Sequence, residues 1–310
     1  MNNNGIIQGL TRKDLHRVYQ QVASETSTPY EAVMTLDSGI EGPEVGVMAC
    51  THGNEPSGLA AFAYLMKTPP PTGRVHLIIN NVEAARRYFE EAEDLSFTAH
   101  YRFVDRDMNR VRPDDDTYEA SRIRALLPLY EQLDVVIDLH STSSPSEPML
   151  IEVSEDLPLL NIQGVEVVLR NLVPHLNAPP LVSLCKNARA YVLETGSHED
   201  PRSSEIAQRA VQSLLSQDLL QQDAQSVPAS VYRIYQTVVF PHESYSLTRI
   251  LNNLEFLPAG TLLATSDADG HPSLIVDRDA YAVMPSPRLK PVHSGSEFLY
   301  LAEKVSAGVT

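Results

Sequence analysis

The chain has 310 residues, two-fifths of them hydrophobic, and a formal charge of −16 from 40 acidic against 24 basic side chains. It can bury a sizeable core as one large domain or as a larger domain with a smaller companion, and the second division is favoured. So acidic a balance argues against a nucleic-acid partner, whose affinity comes largely from counterion release by clustered Lys and Arg. No window approaches the roughly 18 uninterrupted apolar residues of a membrane span. The first residues lack a basic start followed by an apolar stretch, so the expected address is the cytoplasm, and Cys50 and Cys185 are expected as reduced thiols.

In chain order, Thr11 and Asp14 with Leu15, Val18, Tyr19 and Val22 predict an N-capped amphipathic helix. A short strand, EAVMTL, follows it. Four apolar runs of strand length, PEVGVMAC, RVHLIINN, DVVIDLH and RAYVLETG, are bounded by turn residues and read as buried strands. Between them lie helical patterns over Pro56–Met66, Thr117–Leu133 and Val165–Leu172, and Ser203–Leu219 follows the last run. Strand alternating with helix predicts an α/β fold, a mixed, mostly parallel sheet with helices on both faces. After Leu220 comes the polar connector QQDAQSVPAS, then short β-type runs separated by Gly, Pro and Asp. These features set an expected boundary between a catalytic domain, 1–222, and a C-terminal β domain, 227–310.

THGNEPSG, directly after the first apolar run, places His52 and Glu55 three residues apart. Alone the pair is weak, because a histidine near a glutamate at a strand end is more often solvated or structurally bonded. His140, at the end of DVVIDLH, would project from another strand's C-terminal edge, where open α/β sheets bind ligands. His52, Glu55 and His140 then match the two-histidine, one-glutamate set of catalytic zinc sites, whose ion activates water and polarises a carbonyl. Glu194, in YVLETG, is the candidate proton shuttle; without a metal site it reads as a solvated strand-end carboxylate. YRFVDRDMNR gathers Arg102, Arg106, Asn109 and Arg110, either a charged surface loop or a grip for a substrate carboxylate. Asp138 would share the face of His140 but lie about 6–7 Å back along the strand, which suits a supporting role. Asp105 and Asp107 are candidates for orienting the arginines or a ligand histidine.

Taken in order, THGNEPSG, RFVDRDMNR, DLHSTSS and LETGS resemble the aspartoacylase and succinylglutamate desuccinylase family, zinc amidohydrolases related to metallocarboxypeptidases. The resemblance spans about Val45 to Pro201. It implies one zinc per chain on His52, Glu55 and His140, and Glu194 as general base and acid. Arg102 would polarise the scissile carbonyl, Asn109 and Arg110 would hold the α-carboxylate of an N-acyl amino acid, and Tyr281 would match a tyrosine brought over the site by the C-terminal β domain. It further implies a small N-acyl amino acid as partner and a homo-oligomer. Leu184 departs from the pattern at a position where acetylaspartate-selective members carry arginine, and Lys186 or Arg189 are the candidate substitutes. A metallocarboxypeptidase acting on short peptides and a catalytically inactive binding protein are the alternatives carried forward.

Overall fold

The computed structural model describes residues 5–92, 100–143, 145–153, 160–176, 180–216, 230–268, 270–286, 288–291 and 294–305. Helix α1 (Arg12–Ala23) begins at Thr11, whose side chain accepts from the Asp14 backbone N–H while the Asp14 carboxylate reaches back, so the predicted cap closes as a reciprocal capping box. It precedes β1 (Val33–Asp37), β2 (Glu44–Ala49), α2 (Leu59–Lys67), β3 (Arg74–Ile79), α3 (Val82–Glu91), α4 (Tyr118–Tyr130) and β4 (Val135–Thr142). After these come β5 (Met149–Glu152), β6 (Val167–Arg170), β7 (Arg189–Ser197) and α5 (Arg202–Ser216).

The main sheet has eleven strands in the order β1-β3-β2-β4-β7-β5-β6, continued by β8 (Ser230–Val239), β14 (Glu297–Val305), β13 (Ala280–Val283) and β10 (Glu255–Leu257). The pairs among β3, β2, β4 and β7 are parallel, and β1 and β5 flank this group antiparallel. The mixed, mostly parallel core of the expected α/β fold is therefore present, with antiparallel strands added C-terminally. β9 (Tyr245–Leu247), β11 (Leu262–Ser266) and β12 (Leu274–Ile275) form a separate three-stranded sheet. β8 pairs with β6, so the main sheet runs unbroken into the C-terminal strands. The expected boundary at 222–227 lies outside the described residues.

Two apolar clusters cover the main sheet. One packs α1, α2 and α5 on one face, and the other packs α4 and the 181–185 turn on the opposite face. Strands β2, β3 and β4 are buried almost throughout because they are covered on both sides, which is why they read as runs and not alternations. One expectation fails: Val165–Leu172 is not helical, and its middle forms β6. The spacing of Val165, Val168 and Leu172 imitates one helix face, but a four-residue strand paired on both edges and covered on both faces leaves no alternation to betray it.

Chain order in this sheet positions the site. From β2 the chain crosses through α2 to β3 on one side, then passes back over β2 to place β4 on the other. The C-terminal ends of β2 and β4 thus flank a topological switch point, the crevice where open α/β sheets bind ligands.

Candidate metal centre and substrate cavity

At the end of β2, Cys50 takes a left-handed conformation (φ 54°), an uncommon state for a residue other than glycine, and turns the chain sharply out of the strand. Its carbonyl accepts from the Asn81 N–H, which holds the turn against the start of α3. Gly53 then passes through a gap that no side chain could share. A Cβ there would lie 2.3 Å from the Ala84 carbonyl carbon and 2.5 Å from the Tyr101 carbonyl oxygen. The turn delivers His52 and Glu55 over the switch point, where β4 delivers His140.

His52, Glu55 and His140 are buried, with one potential ligand atom from each within 4.8 Å of the others. Both rings turn Nδ1 toward the glutamate, His52 at 2.9 Å from Oε1 and His140 at 2.9 Å from Oε2. The opposite ring nitrogens meet carboxylates: His140 Nε2 lies 2.9 Å from Asp138 Oδ2, and His52 Nε2 lies 3.1 Å from Asp107 Oδ1. Burial works against charging either ring, yet the surrounding carboxylates prevail and raise both histidines above their ordinary value, His140 the further. Glu55 is held well below the usual carboxylate range, against its burial, by His52, Arg102 and His140. Two buried carboxylates, Glu55 and Asp138, and the partly exposed Asp107 thus keep protons on two imidazoles, a donor set that suits a divalent cation able to displace those protons.

The predicted support of Asp138 takes a definite form. Its neighbour chain runs through four buried groups: Tyr130 Oη donates to Asn80 Oδ1 at 3.0 Å, Asn80 Nδ2 donates to Thr51 Oγ1 at 2.7 Å, and Thr51 Oγ1 donates to Asp138 at 2.8 Å. Because Thr51 receives a proton from Asn80, its own hydroxyl hydrogen is committed to Asp138. The carboxylate is then an acceptor toward His140, which fixes the ring's Nε2–H and leaves Nδ1 facing the cluster, where its lone pair would be free for an ion once the second proton is displaced.

Glu194 stands beside His140 as its register partner across β4 and β7. One residue further β7 carries an extra residue in a bulge, in which Gly196 adopts φ 107°. Burial pushes the Glu194 carboxyl up to about 7, with the histidines and Arg102 pulling the other way and Glu55 adding to the rise. Its Oε2 is buried without a hydrogen-bond partner among the described residues.

The arginine segment divides. Arg102 reaches the centre, with Nη1 2.7 Å from Glu55 Oε1 and Nη2 3.3 Å from Asp107 Oδ2. Asn109 and Arg110 sit on a short 3-10 turn, Met108–Arg110, capped by Asp107, and both line a cavity beside the centre. The Asn109 carboxamide oxygen accepts from the Leu181 N–H, which leaves its amide nitrogen to offer a ligand. Arg110 lies 3.7 Å from Glu297 of β14. Arg106 goes elsewhere, exposed and 3.8 Å from Asp115. Asp105 accepts from the Tyr118 N–H and so caps the start of α4, not a ligand.

Tyr281 lies outside the site. On β13 it packs edge-on against Tyr232 with ring centroids 5.1 Å apart and lines neither cavity beside the centre, whereas Tyr300 of β14 lines one of them. Lys186 is exposed, and neither it nor Arg189 lines either of the two cavities beside the centre. Arg189 opens β7, five residues before Glu194, about 16 Å back along an extended strand. One functional anchor escapes sequence reasoning altogether. Glu119, fully buried in the first turn of α4, accepts from the backbone N–H groups of Val104, Asp105 and Arg106 and from Asn81 Nδ2, and so fastens the loop that carries Arg102.

Residues 41–176 match the family model of the Succinylglutamate desuccinylase/Aspartoacylase catalytic domain. The matched segment, a little under half of the chain, is similar to that catalytic domain. His52, Glu55, Arg102, Asn109, Arg110 and His140 all fall within the matched stretch, and Glu194 lies beyond its end. Comparison with curated proteins gives no match. Among solved structures, the chain is similar to a succinylglutamate desuccinylase of Chromobacterium violaceum (18% identity, TM-score 0.66), covering 95% of this chain and 98% of that one. It is also similar to the succinylglutamate desuccinylase of Vibrio parahaemolyticus (18%, TM-score 0.65, covering 88% and 86%). A third is the product-bound ectoine utilization protein of Ruegeria pomeroyi (17%, TM-score 0.63, covering 87% and 88%). At these identities the likeness is one of fold, and it extends over the C-terminal strands. Among the described residues, no helix is long and apolar enough to cross a membrane.

Proposed function

We propose that the protein is a zinc-dependent amidohydrolase that cleaves an N-acyl amino acid into a carboxylic acid and a free amino acid. The observation that carries the reading is Glu194: a buried carboxyl with an unpartnered Oε2, in register with His140 and beside the histidine–glutamate cluster. One zinc per chain, held by His52, Glu55 and His140, would supply Lewis acidity at the scissile carbonyl. In this reading Glu194 accepts the proton of the attacking water at its carboxylate and returns it to the leaving amine, a task suited to a group poised near neutrality. Arg102 presents a guanidinium to the charge that develops on the carbonyl oxygen. Arg110 and the amide nitrogen of Asn109 hold the substrate carboxylate in the adjoining cavity. The C-terminal strands, as the β domain over the site, contribute Met284 and Tyr300 to that cavity. Two buried free thiols suit a reducing compartment, and the cytoplasm is the proposed address.

The family match over residues 41–176 sets the deacylase above the carboxypeptidase reading. The test is Glu194→Gln in zinc-loaded protein, assayed on acyl amino acids and dipeptides. A fall of about 10²–10⁴-fold in turnover with zinc content unchanged is expected. Release of amino acid from dipeptides but from no acyl amino acid would overturn the reading in favour of a carboxypeptidase. No turnover on any substrate, with ligand affinity indifferent to the substitution, would leave a binding protein.

A further inference from the structure

Two cavities adjoin the histidine–glutamate cluster. The outer one, about 430 Å³, is lined by Ser141, Thr142, Ser143 and Ser146 together with Met149, Ile250 and Leu251. The inner one is lined by Asn109, Arg110 and the residues of the cluster, and it adds the apolar side chains of Ile151, Leu172, Val173, Leu176, Val192 and Met284. Its volume, about 130 Å³, is close to that of an engineered apolar cavity of about 150 Å³ that admits benzene. A leucyl or phenyl group therefore fits it.

The cations available to this cavity can be counted over the whole chain, because no residue outside the described segments is Lys or Arg. Apart from His52 and His140, which would be occupied by the ion, Arg102 and Arg110 are the two that border the cavity. Arg102 is engaged at close range by Glu55 and Asp107, whereas Arg110 has a looser pairing with Glu297, at 3.7 Å, and is the better placed of the two for a single substrate carboxylate. A second carboxylate, on the side chain of an acyl aspartate or glutamate, would be pressed against aliphatic walls with no counter-ion, an arrangement that a buried charge resists strongly.

We propose that the preferred substrate is the N-acyl derivative of an amino acid with an apolar side chain of leucine to phenylalanine size, held with its α-carboxylate on Arg110 and Asn109 and its side chain among Ile151, Leu172 and Val192. This rests on the deacylase reading above, and the acyl group then lies toward the outer cavity. A hydrophobic pocket discriminates about 10–200-fold per methylene, so N-acetylleucine exceeds N-acetylglycine by at least 100-fold in kcat/KM. N-acetylaspartate and N-succinylglutamate fall below N-acetylleucine by a comparable factor or more.

The experiment measures kcat/KM of the zinc-loaded full chain on N-acetyl derivatives of glycine, leucine, phenylalanine and aspartate, on N-succinylglutamate and on N-isovalerylglycine. Calorimetry on the same preparation measures binding of leucine and aspartate. Leucine or phenylalanine derivatives leading the panel support the proposal, and Leu172→Phe then lowers the N-acetylphenylalanine to N-acetylglycine ratio at least tenfold. A lead by acetylaspartate or succinylglutamate overturns it while leaving the deacylase reading standing. A lead by isovalerylglycine also overturns it, since the apolar group would then belong to the acyl side. If nothing in the panel is hydrolysed, the deacylase reading fails by itself. Calorimetry then decides the pocket, with tighter leucine supporting apolar selection and tighter or equal aspartate refuting it.

Discussion

Replacing Asp138 with Asn probes the buried hydrogen-bond chain that reaches from Tyr130 to His140. The substitution preserves volume and removes a negative charge whose two oxygens accept from Thr51 Oγ1 and His140 Nε2. Neither orientation of the new amide keeps both bonds. With Oδ1 toward Thr51, the NH₂ group faces His140 Nε2 and draws its lone pair there, which sends the ring proton to Nδ1 and into the cluster. With Oδ1 toward His140, the NH₂ group faces a Thr51 hydroxyl that already receives a proton from Asn80, and the hydroxyl hydrogen is left without an acceptor. One bond to a charged group is lost either way, about 1.5–3 kcal/mol of stability. Loss of a carboxylate behind a ligand histidine lowers metal affinity about 10–100-fold, or roughly 1.4–2.7 kcal/mol. Chelator competition on the folded variant reads the zinc affinity directly. An affinity within about threefold of the parent protein would show that Asp138 does not set the tautomer of His140 and would refute the reasoning.

Three further outcomes are expected. Gly53→Ala drives a Cβ into the Ala84 and Tyr101 backbone, so zinc binding should fall even though neither ligand is altered; unchanged affinity in a folded variant would mean that the loop yields. Arg122 is buried and donates to the carbonyls of Glu31, Ile79 and Asn80, so Arg122→Met strands three acceptors and should cost about 3 kcal/mol in urea unfolding, with a loss below about 0.5 kcal/mol contradicting the assignment. Because the carboxylates hold the protons of His52 and His140 to higher pH than an ordinary histidine, zinc must displace protons that persist above the usual titration. Zinc affinity should therefore rise with pH through and beyond about 6.5, with proton release visible by calorimetry in buffers of different ionisation enthalpy; a pH-independent affinity would exclude this account.

Much of this arrangement is legible in the sequence where local chemistry dictates local structure. The strands carrying the centre are buried on both faces, so each stands out as an unbroken apolar run, and the ligand residues follow at the run's end. The cap of α1 is legible because both partners lie within one turn. α3 is absent from the expected elements although Asn81 caps it, because RVHLIINN runs into it and the attention of the pattern falls on the strand. β5 and β6 are four residues each, too short for any periodicity to decide. The site divides along the same line. His52, Glu55, His140 and Glu194 sit at strand ends that sequence can locate, whereas the destination of a long side chain depends on neighbours distant in the chain. Arg106 and Arg102 are four residues apart on one loop, yet one reaches Glu55 and the other Asp115. Tyr281 and Tyr300 lie on adjacent paired strands, and only the geometry of the sheet decides which one borders the cavity.

The proposed metal ligands are unevenly spread along the chain: His52 and Glu55 share one turn, while His140 lies 85 residues beyond Glu55. An unfolded chain can offer an ion the first pair but not the third donor, because closing so long a loop is entropically opposed. Occupancy of the centre therefore discriminates strongly between folded and unfolded chains, and zinc at about a hundred times its dissociation constant would add about 2.7 kcal/mol to the stability of the fold. On the proposed zinc reading, ion supply would govern not only how fast this protein works in a cell but how many of its copies survive unfolding and proteolysis.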